Sequence, residues 1–260
     1  MKLVFYTLLL QSLVICLFPE FVSRNKTDDA AKKVLSIVQR NAVLLDTIKQ
    51  LLVVFNENPE QNKAVLVAME KKDKAWKTVF TPMLAGIGRK GFAAPGAKRE
   101  GDQMSPSGFF RLGHLFCYDK EVDTRMPFTQ TTPEDKWIDD LNSPDYNRYI
   151  RGTTNAKSYE KLLLSGNAYR YCMVIEYNTH PVVKGHGSAI FLHLSESEAI
   201  NSSSGCVVLL QKDMEMLLRW MNPESKLSIL MGSEKALLGG LKVKKKVANE
   251  YLRINIFDLN

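Results

Sequence analysis

A histidine and a cysteine stand beside two apolar runs in the middle of the chain. The first run is Gly185-His186-Gly187-Ser188-Ala189-Ile190-Phe191-Leu192-His193. The second, Val207-Val208-Leu209, follows Ser202-Ser203-Ser204-Gly205-Cys206. Only the thiolate of a cysteine attacks a carbonyl well, and a free thiol is mostly protonated at neutral pH. An imidazole within reach that takes this proton makes the thiol a nucleophile. Gly205 permits a backbone shape that other residues resist, and N–H groups around such a turn can face a developing oxyanion. By themselves, however, one histidine and one cysteine on apolar strands are more often core residues than a catalytic pair.

Positioning such a pair requires strands. Residues 190–194 and 207–210 read as buried strands, and the polar stretch 195–205 as the loop that folds one back onto the other. Upstream, 64–69 and 75–80 read as a hairpin joined through Lys71-Lys72-Asp73-Lys74, and 82–87 as the start of a third strand. Residues 88–108 are rich in glycine, proline and charge and read as a long loop, a length usually associated with function. Residues 119–157 read as polar and irregular, 158–164 as a short helix, and 171–177 as a strand entering a turn at Asn178-Thr179-His180-Pro181. Met214, Leu217, Leu218 and Met221 recur at helical spacing over 212–221, and 226–231 reads as a final strand.

The ends of the chain differ from this middle. Met1-Lys2 and the apolar residues 3–18 have the form of a signal peptide, and the weak cleavage signal near Ser23 leaves a membrane anchor as the alternative. The apolar residues of 26–56 recur at helical spacing, which predicts one long helix or two shorter ones ended by Asn58-Pro59. Residues 233–260 carry Lys242, Lys244, Lys245 and Lys246 ahead of a strand-like run at 251–257. That tail reads as an added edge strand or as a surface facing a wall or membrane.

The 260 residues are 45% hydrophobic and 24% charged, with a net charge of +7. This is the composition of a globular protein with a basic balance suited to a polyanionic neighbour. No zinc-finger spacing or RNP-like stretch is present, so no nucleic-acid partner is expected. Asp139-Asp140 supplies too few oxygen ligands for a divalent cation, and neither metal nor cofactor is expected. Cys16 falls in the apolar leader. Cys117 and Cys172 either pair as a disulfide or remain two buried thiols.

Several ordered motifs join the central pair. They are Gly86-Ile87-Gly88-Arg89-Lys90-Gly91-Phe92, Lys98-Arg99-Glu100-Gly101-Asp102 running on to Phe109, Trp137-Ile138-Asp139-Asp140, and Tyr177-Asn178-Thr179-His180-Pro181. Together they resemble the L,D-transpeptidase (YkuD-type) catalytic domain, in the branch with G-x-G-S-x-I-F-x-H and T/S-x-G-C-V, over about residues 62–232. Many members of the wider family have histidine at the position of Ser204, a residue this branch commonly lacks.

The resemblance implies a mostly-β fold, a curved sandwich or barrel-like sheet with a few helices. The expected organisation is a leader or anchor over 1–23, a helical segment over 24–59, the catalytic domain over 60–232 and a basic extension over 233–260. It implies Cys206 as nucleophile, His193 as general base, and the N–H groups of Gly205 and Cys206 as oxyanion donors. A backbone carbonyl near Gly187 or Ser188 is expected to orient His193. Ser204, His186, Gly187, Ser188, Lys98 and Glu100 are expected to bind substrate. His186 reads equally well as a solvated turn residue. Trp137, Tyr146 and Tyr149 are expected to give a groove apolar contact, and Lys98 and Arg99 to meet carboxylates. The resemblance implies a transpeptidase acting on peptidoglycan stem peptides, with an L,D-carboxypeptidase or a non-catalytic wall-binding module as the alternatives, and a location outside the cytoplasm, in the periplasm or cell envelope, free or membrane-anchored.

Overall fold

The computed structural model describes residues 29–241. The leader or anchor expected over 1–23 and the strand-like run at 251–257 lie outside the described residues. Among the described residues, no helix is long and apolar enough to cross a membrane.

Helix α1 occupies residues 29–40. It is followed by β1 (Gln50–Asn56), β2 (Lys63–Lys72), β3 (Ala75–Thr78), β4 (Met83–Gly86), β5 (Gly108–Cys117) and β6 (Phe128–Gln130). Next come β7 (Asp135–Ile138), β8 (Tyr149–Arg151), β9 (Tyr159–Lys161), β10 (Tyr171–Ile175), β11 (Phe191–Leu194) and β12 (Val207–Leu209). The chain closes with α2 (Gln211–Trp220), β13 (Ser228–Ser233) and α3 (Glu234–Leu238). Strands β1, β13, β5, β10, β11, β12, β4 and β2 pair in that order, and β2 pairs back onto β1, so the sheet closes into a barrel. Closure removes the open edges of these strands. Strands β8, β7 and β9 form a separate small sheet.

Alternation along the strands builds two layers of core. Leu52 and Val54 of β1 face the barrel interior with Leu66, Leu115, Leu192 and Val207. Leu51, Val53 and Phe55 face outward onto Val34, Ile37 and Val38 of α1. Met214, Leu217 and Leu218 put the apolar stripe of α2 into the interior core. A third cluster, outside the barrel, joins Phe116, Trp137, Leu162, Tyr169, Cys172, Phe191 and Cys206.

Three expectations need correction. The helix expected over 24–59 does not extend through that segment, because residues 50–56 are strand β1. Every residue of β1 is buried, so its apolar run is continuous, and such a run carries no period that separates helix from strand. Residues 158–164 are not a helix. Glu160 pairs with Trp137 across β9 and β7, and only Leu162 of the segment is buried, too little for an amphipathic helix face. The stretch 119–157 is not wholly irregular, since it contains β6, β7 and β8. Cys117 and Cys172 are free thiols. They lie one register step apart on adjacent strands, so Cys117 faces the barrel interior and Cys172 the outer cluster.

Candidate active site

The parallel pairing of β11 and β12 brings the histidine and the cysteine together. Leu192 pairs with Val207 and His193 with Val208. Leu192 and Val207 point into the barrel, so the residues before them, Phe191 and Cys206, share the outer face. His193 lies on that same face, two residues beyond Phe191. Strand rise and spacing put the Cα atoms of Cys206 and His193 roughly 8 Å apart, within reach of their side chains. Both residues line a cavity of about 480 Å³ beside the outer cluster.

His193 Nδ1 lies 2.9 Å from the carbonyl oxygen of Leu194. A carbonyl only accepts, so Nδ1 carries the proton and Nε2 is left with the lone pair of a base. The orienting carbonyl is thus that of Leu194 and not one near Gly187 or Ser188, because the ring folds back along its own strand. The ring of Tyr169 meets His193 edge-on at 5.1 Å. Burial pushes the His193 imidazole down to about 4, against the backbone carbonyls of Leu194 and Ala168 that favour its protonated form.

Cys206 Sγ sits between two backbone groups. It donates to the Ala189 carbonyl at 3.3 Å and accepts from the Phe191 N–H at 3.3 Å. Burial pushes the thiol up to about 12; the Phe191 N–H and the charge of Lys98 act in the opposite direction. At rest the pair is therefore a neutral thiol beside a neutral imidazole, not an ion pair.

Two serines hold the turn that carries Cys206. The Ser203 hydroxyl donates to the Cys206 carbonyl at 2.7 Å and accepts the Gly205 N–H at 3.0 Å. The Ser105 hydroxyl donates to the Gly205 carbonyl at 2.7 Å and accepts the Gly88 N–H at 2.9 Å. The Gly205 N–H is thus already engaged, and the role of oxyanion donor expected of it does not fit this turn. Arg89 donates to Ser204 Oγ at 3.1 Å on the solvent side.

The other expected site residues divide. Lys98, Glu100, Ser188 and Ser204 line the cavity. Lys98 is 4% exposed, and its Nζ donates to Asp102 Oδ1 at 2.6 Å and to the Arg99 carbonyl at 2.8 Å. Its stem packs on the loop before β11, where a Cβ on Gly187 would lie 3.1 Å from Lys98 Cε. Glu100 accepts from the hydroxyls of Tyr146 and Ser188. His186 and Gly187 do not line the cavity. Their carbonyls are turned to Tyr177 and Asn178, which fasten the loop from behind. Arg99 points at the carbonyls of Gly96 and Lys98. Trp137 and Tyr146 are buried core residues and Tyr149 packs on Phe116, so none of the three supplies a groove wall.

Sequence reasoning did not single out Tyr169, Glu160, Ser105 or Asn147. Glu160 lines the cavity, and its carboxyl is pushed up by burial and by the charges of Asp139 and Glu100. Among the described residues no group of His, Cys, Asp and Glu is arranged to hold a metal ion.

This geometry can be set beside known proteins. No curated protein sequence matches the chain significantly. Among the solved structures that align with it are Bd1075 of Bdellovibrio bacteriovorus and the helical cell shape determining protein Pgp2 of Campylobacter jejuni. The first is 14% identical with a TM-score of 0.39, covering 79% of this chain and 53% of its own. The second is 14% identical with a TM-score of 0.40, covering 84% of this chain and 59% of its own. The chain thus spans a little over half the length of these solved proteins. The family model of the YkuD L,D-transpeptidase catalytic domain matches residues 52–230, from β1 to β13. The chain belongs to the YkuD family of L,D-transpeptidase catalytic domains.

Proposed function

We propose that this protein is a peptidoglycan L,D-transpeptidase acting through a Cys206 thioester. The observation that carries the reading is Cys206 beside His193 on one barrel face, opening into a cavity, within a chain of this family. The substrate is a stem peptide, cut between the L-centre of a diamino acid and a following D-alanine. Cys206 Sγ attacks the carbonyl carbon while its proton passes to His193 Nε2. The Cys206 N–H faces the oxyanion. The C–N bond then breaks, His193 returns the proton to the departing D-alanine amine, and a thioester remains. An acceptor amine loses a proton to His193 Nε2, attacks the thioester and frees the thiol. Glu100, Asp139, Glu160 and Glu196 line the cavity against the single ammonium of Lys98. An acidic wall of this kind suits the free ammonium of a diamino acid. The protein acts outside the cytoplasm, carried there by residues 1–23.

The test is a purified tetrapeptide muropeptide supplied alone, then with a second stem peptide or a free D-amino acid, read by mass. Crosslinked dimer or exchanged product is expected. Tripeptide and D-alanine alone, at high acceptor concentration, would replace the transferase by an L,D-carboxypeptidase that passes the acyl group to water. Cys206→Ala should lose activity by several orders of magnitude with the fold intact. Near-normal turnover in that variant removes both readings.

A further inference from the structure

We propose that Asn147 is a positioning residue for Cys206, acting through the backbone of Ala189. The inference rests on Cys206 being the nucleophile. Asn147 lies between β7 and β8, far along the chain from the catalytic loop, and is 3% exposed. Its side chain spends its full hydrogen-bonding capacity. Oδ1 accepts Trp137 Nε1–H at 2.8 Å and the Ala189 N–H at 3.0 Å. Nδ2 donates to the carbonyls of Tyr177 at 3.2 Å and Asn178 at 2.7 Å. The two N–H donors on one side and two carbonyls on the other fix which way the amide points.

Ala189 adopts φ +52, a left-handed conformation that a residue with a Cβ enters only when its surroundings hold it there. The Asn147 bond to its N–H is such a hold. In this conformation the Ala189 carbonyl meets the Cys206 thiol. A hydrogen bond to the protonated form favours the thiol over the thiolate and fixes where Sγ sits. The opposing bond, from the Phe191 N–H, comes from a residue paired with Val174 across β11 and β10, and does not depend on Asn147. Asn147 therefore controls one of the two backbone contacts to sulfur and leaves the other alone. The ionisable groups that face the sulfur from other elements are Lys98, Glu160, Tyr169, Cys172 and His193. None of them contacts Asn147 by a hydrogen bond.

The experiment follows alkylation of Cys206 against pH by peptide mass, with turnover measured in parallel. Asn147→Gly removes the side chain and keeps a residue at ease with the φ of +58 found there. Freed from Asn147, the Ala189 carbonyl leaves the thiol. The alkylation midpoint should then fall by about one pH unit, which is roughly tenfold faster labelling at neutral pH. Turnover should fall roughly a hundredfold, because the sulfur is no longer aimed. Asn147→Asp keeps the acceptor for Ala189, so its midpoint should not fall. Cys117 and Cys172, both buried, report integrity by staying unlabelled. An unchanged Cys206 midpoint in a folded Asn147→Gly protein, or the same fall in Asn147→Asp, overturns the proposal. If Asn147→Gly opens Cys117 and Cys172 as well, Ala189→Gly decides. Glycine is at ease at the φ of +52 found there, so with Asn147 still bound to the peptide N–H its Cys206 midpoint should stay at the native value. A fall would show that the Ala189 side chain and not Asn147 holds the carbonyl, and overturns the proposal. The labelling readout needs no muropeptide, so a wrong substrate assignment leaves this test standing.

Discussion

Asp135 in the small sheet and Cys206 at the barrel rim are both shielded from water, and their surroundings differ in kind. Asp135 accepts from Arg151 Nε at 2.7 Å and Nη2 at 2.9 Å, from the Thr132 N–H at 2.6 Å, and from the hydroxyls of Thr132 and Tyr149. Burial alone would raise its carboxyl, yet these donors and the guanidinium hold it down at about 2. Cys206 has one N–H donor and one carbonyl acceptor, and burial pushes it up to about 12. A structural centre fixes its charge permanently through matched partners. In the proposed mechanism Cys206 and His193 instead stay neutral, and charge appears only when substrate is there to share it.

The largest effect that tests this contrast is at His193. His193→Ala should lower acylation by roughly 10² to 10⁴ if Nε2 is the proton acceptor that the proposed mechanism makes it. In the native enzyme the acid limb of kcat/KM should lie nearer 4 than the ordinary imidazole value of about 6.5. The depressed value keeps the base form present as pH falls, until about 4 is reached. An acid limb near 6.5 would show that His193 is not held neutral. His186→Ala should behave almost as the native protein, and a larger loss there than at His193 would reassign the base.

A smaller effect, on stability and not on chemistry, is expected at Asp135. Asp135→Asn leaves Arg151 without its partner and should cost about 3 kcal/mol, at the low end for a buried pair because Arg151 is 45% exposed. The folded-state value of Asp135 lies below its unfolded value of about 3.9. Its contribution is therefore fully present above pH 4 and is lost as pH falls from about 4 towards 2. Urea unfolding of the two proteins should show a gap at pH 7 that closes below pH 4. A gap independent of pH would mean that Asp135 acts by packing rather than charge.

The residues of this contrast were unequally legible in the sequence. His193 and Cys206 stand in short runs whose glycines and β-branched residues announce strand and turn, so the strands and the turn around them could be read locally, whereas their chemistry was carried by the resemblance to the L,D-transpeptidase motifs. The apolar run 64–69, closed by the charged turn 71–74, and the helical spacing of α2 were legible locally in the same way. β1 was not, because burial on both faces erased its period. Asn147 and Ser105 were invisible as site residues. Each is a single polar residue in a loop, and what matters about it is a contact across the fold, 42 and 100 residues away along the chain. Tyr169 and Glu160 were missed likewise, since β9 and the stretch before β10 reach the cavity only through tertiary pairing.

The smallest effect expected is at Ser105, and it asks whether the turn under Cys206 is held twice over. Ser105 is fully buried, and its hydroxyl ties Gly88 to Gly205. Ser203 independently ties Gly205 to the Cys206 carbonyl. Ser105→Ala leaves a buried N–H and a buried carbonyl without their partner, a cost of roughly 1–3 kcal/mol in stability. The Ser203 clamp persists, so Cys206 should stay close to its place and turnover should fall only about tenfold, well short of the hundredfold that a 1 Å misplacement can cost. KM should stay near the native value, because Ser105 does not line the cavity. Thermal unfolding and steady-state kinetics on the same preparation separate the two effects. A fall in kcat beyond a hundredfold with unchanged melting would show that Ser203 alone cannot aim the thiol, and that the turn depends on both hydroxyls acting together.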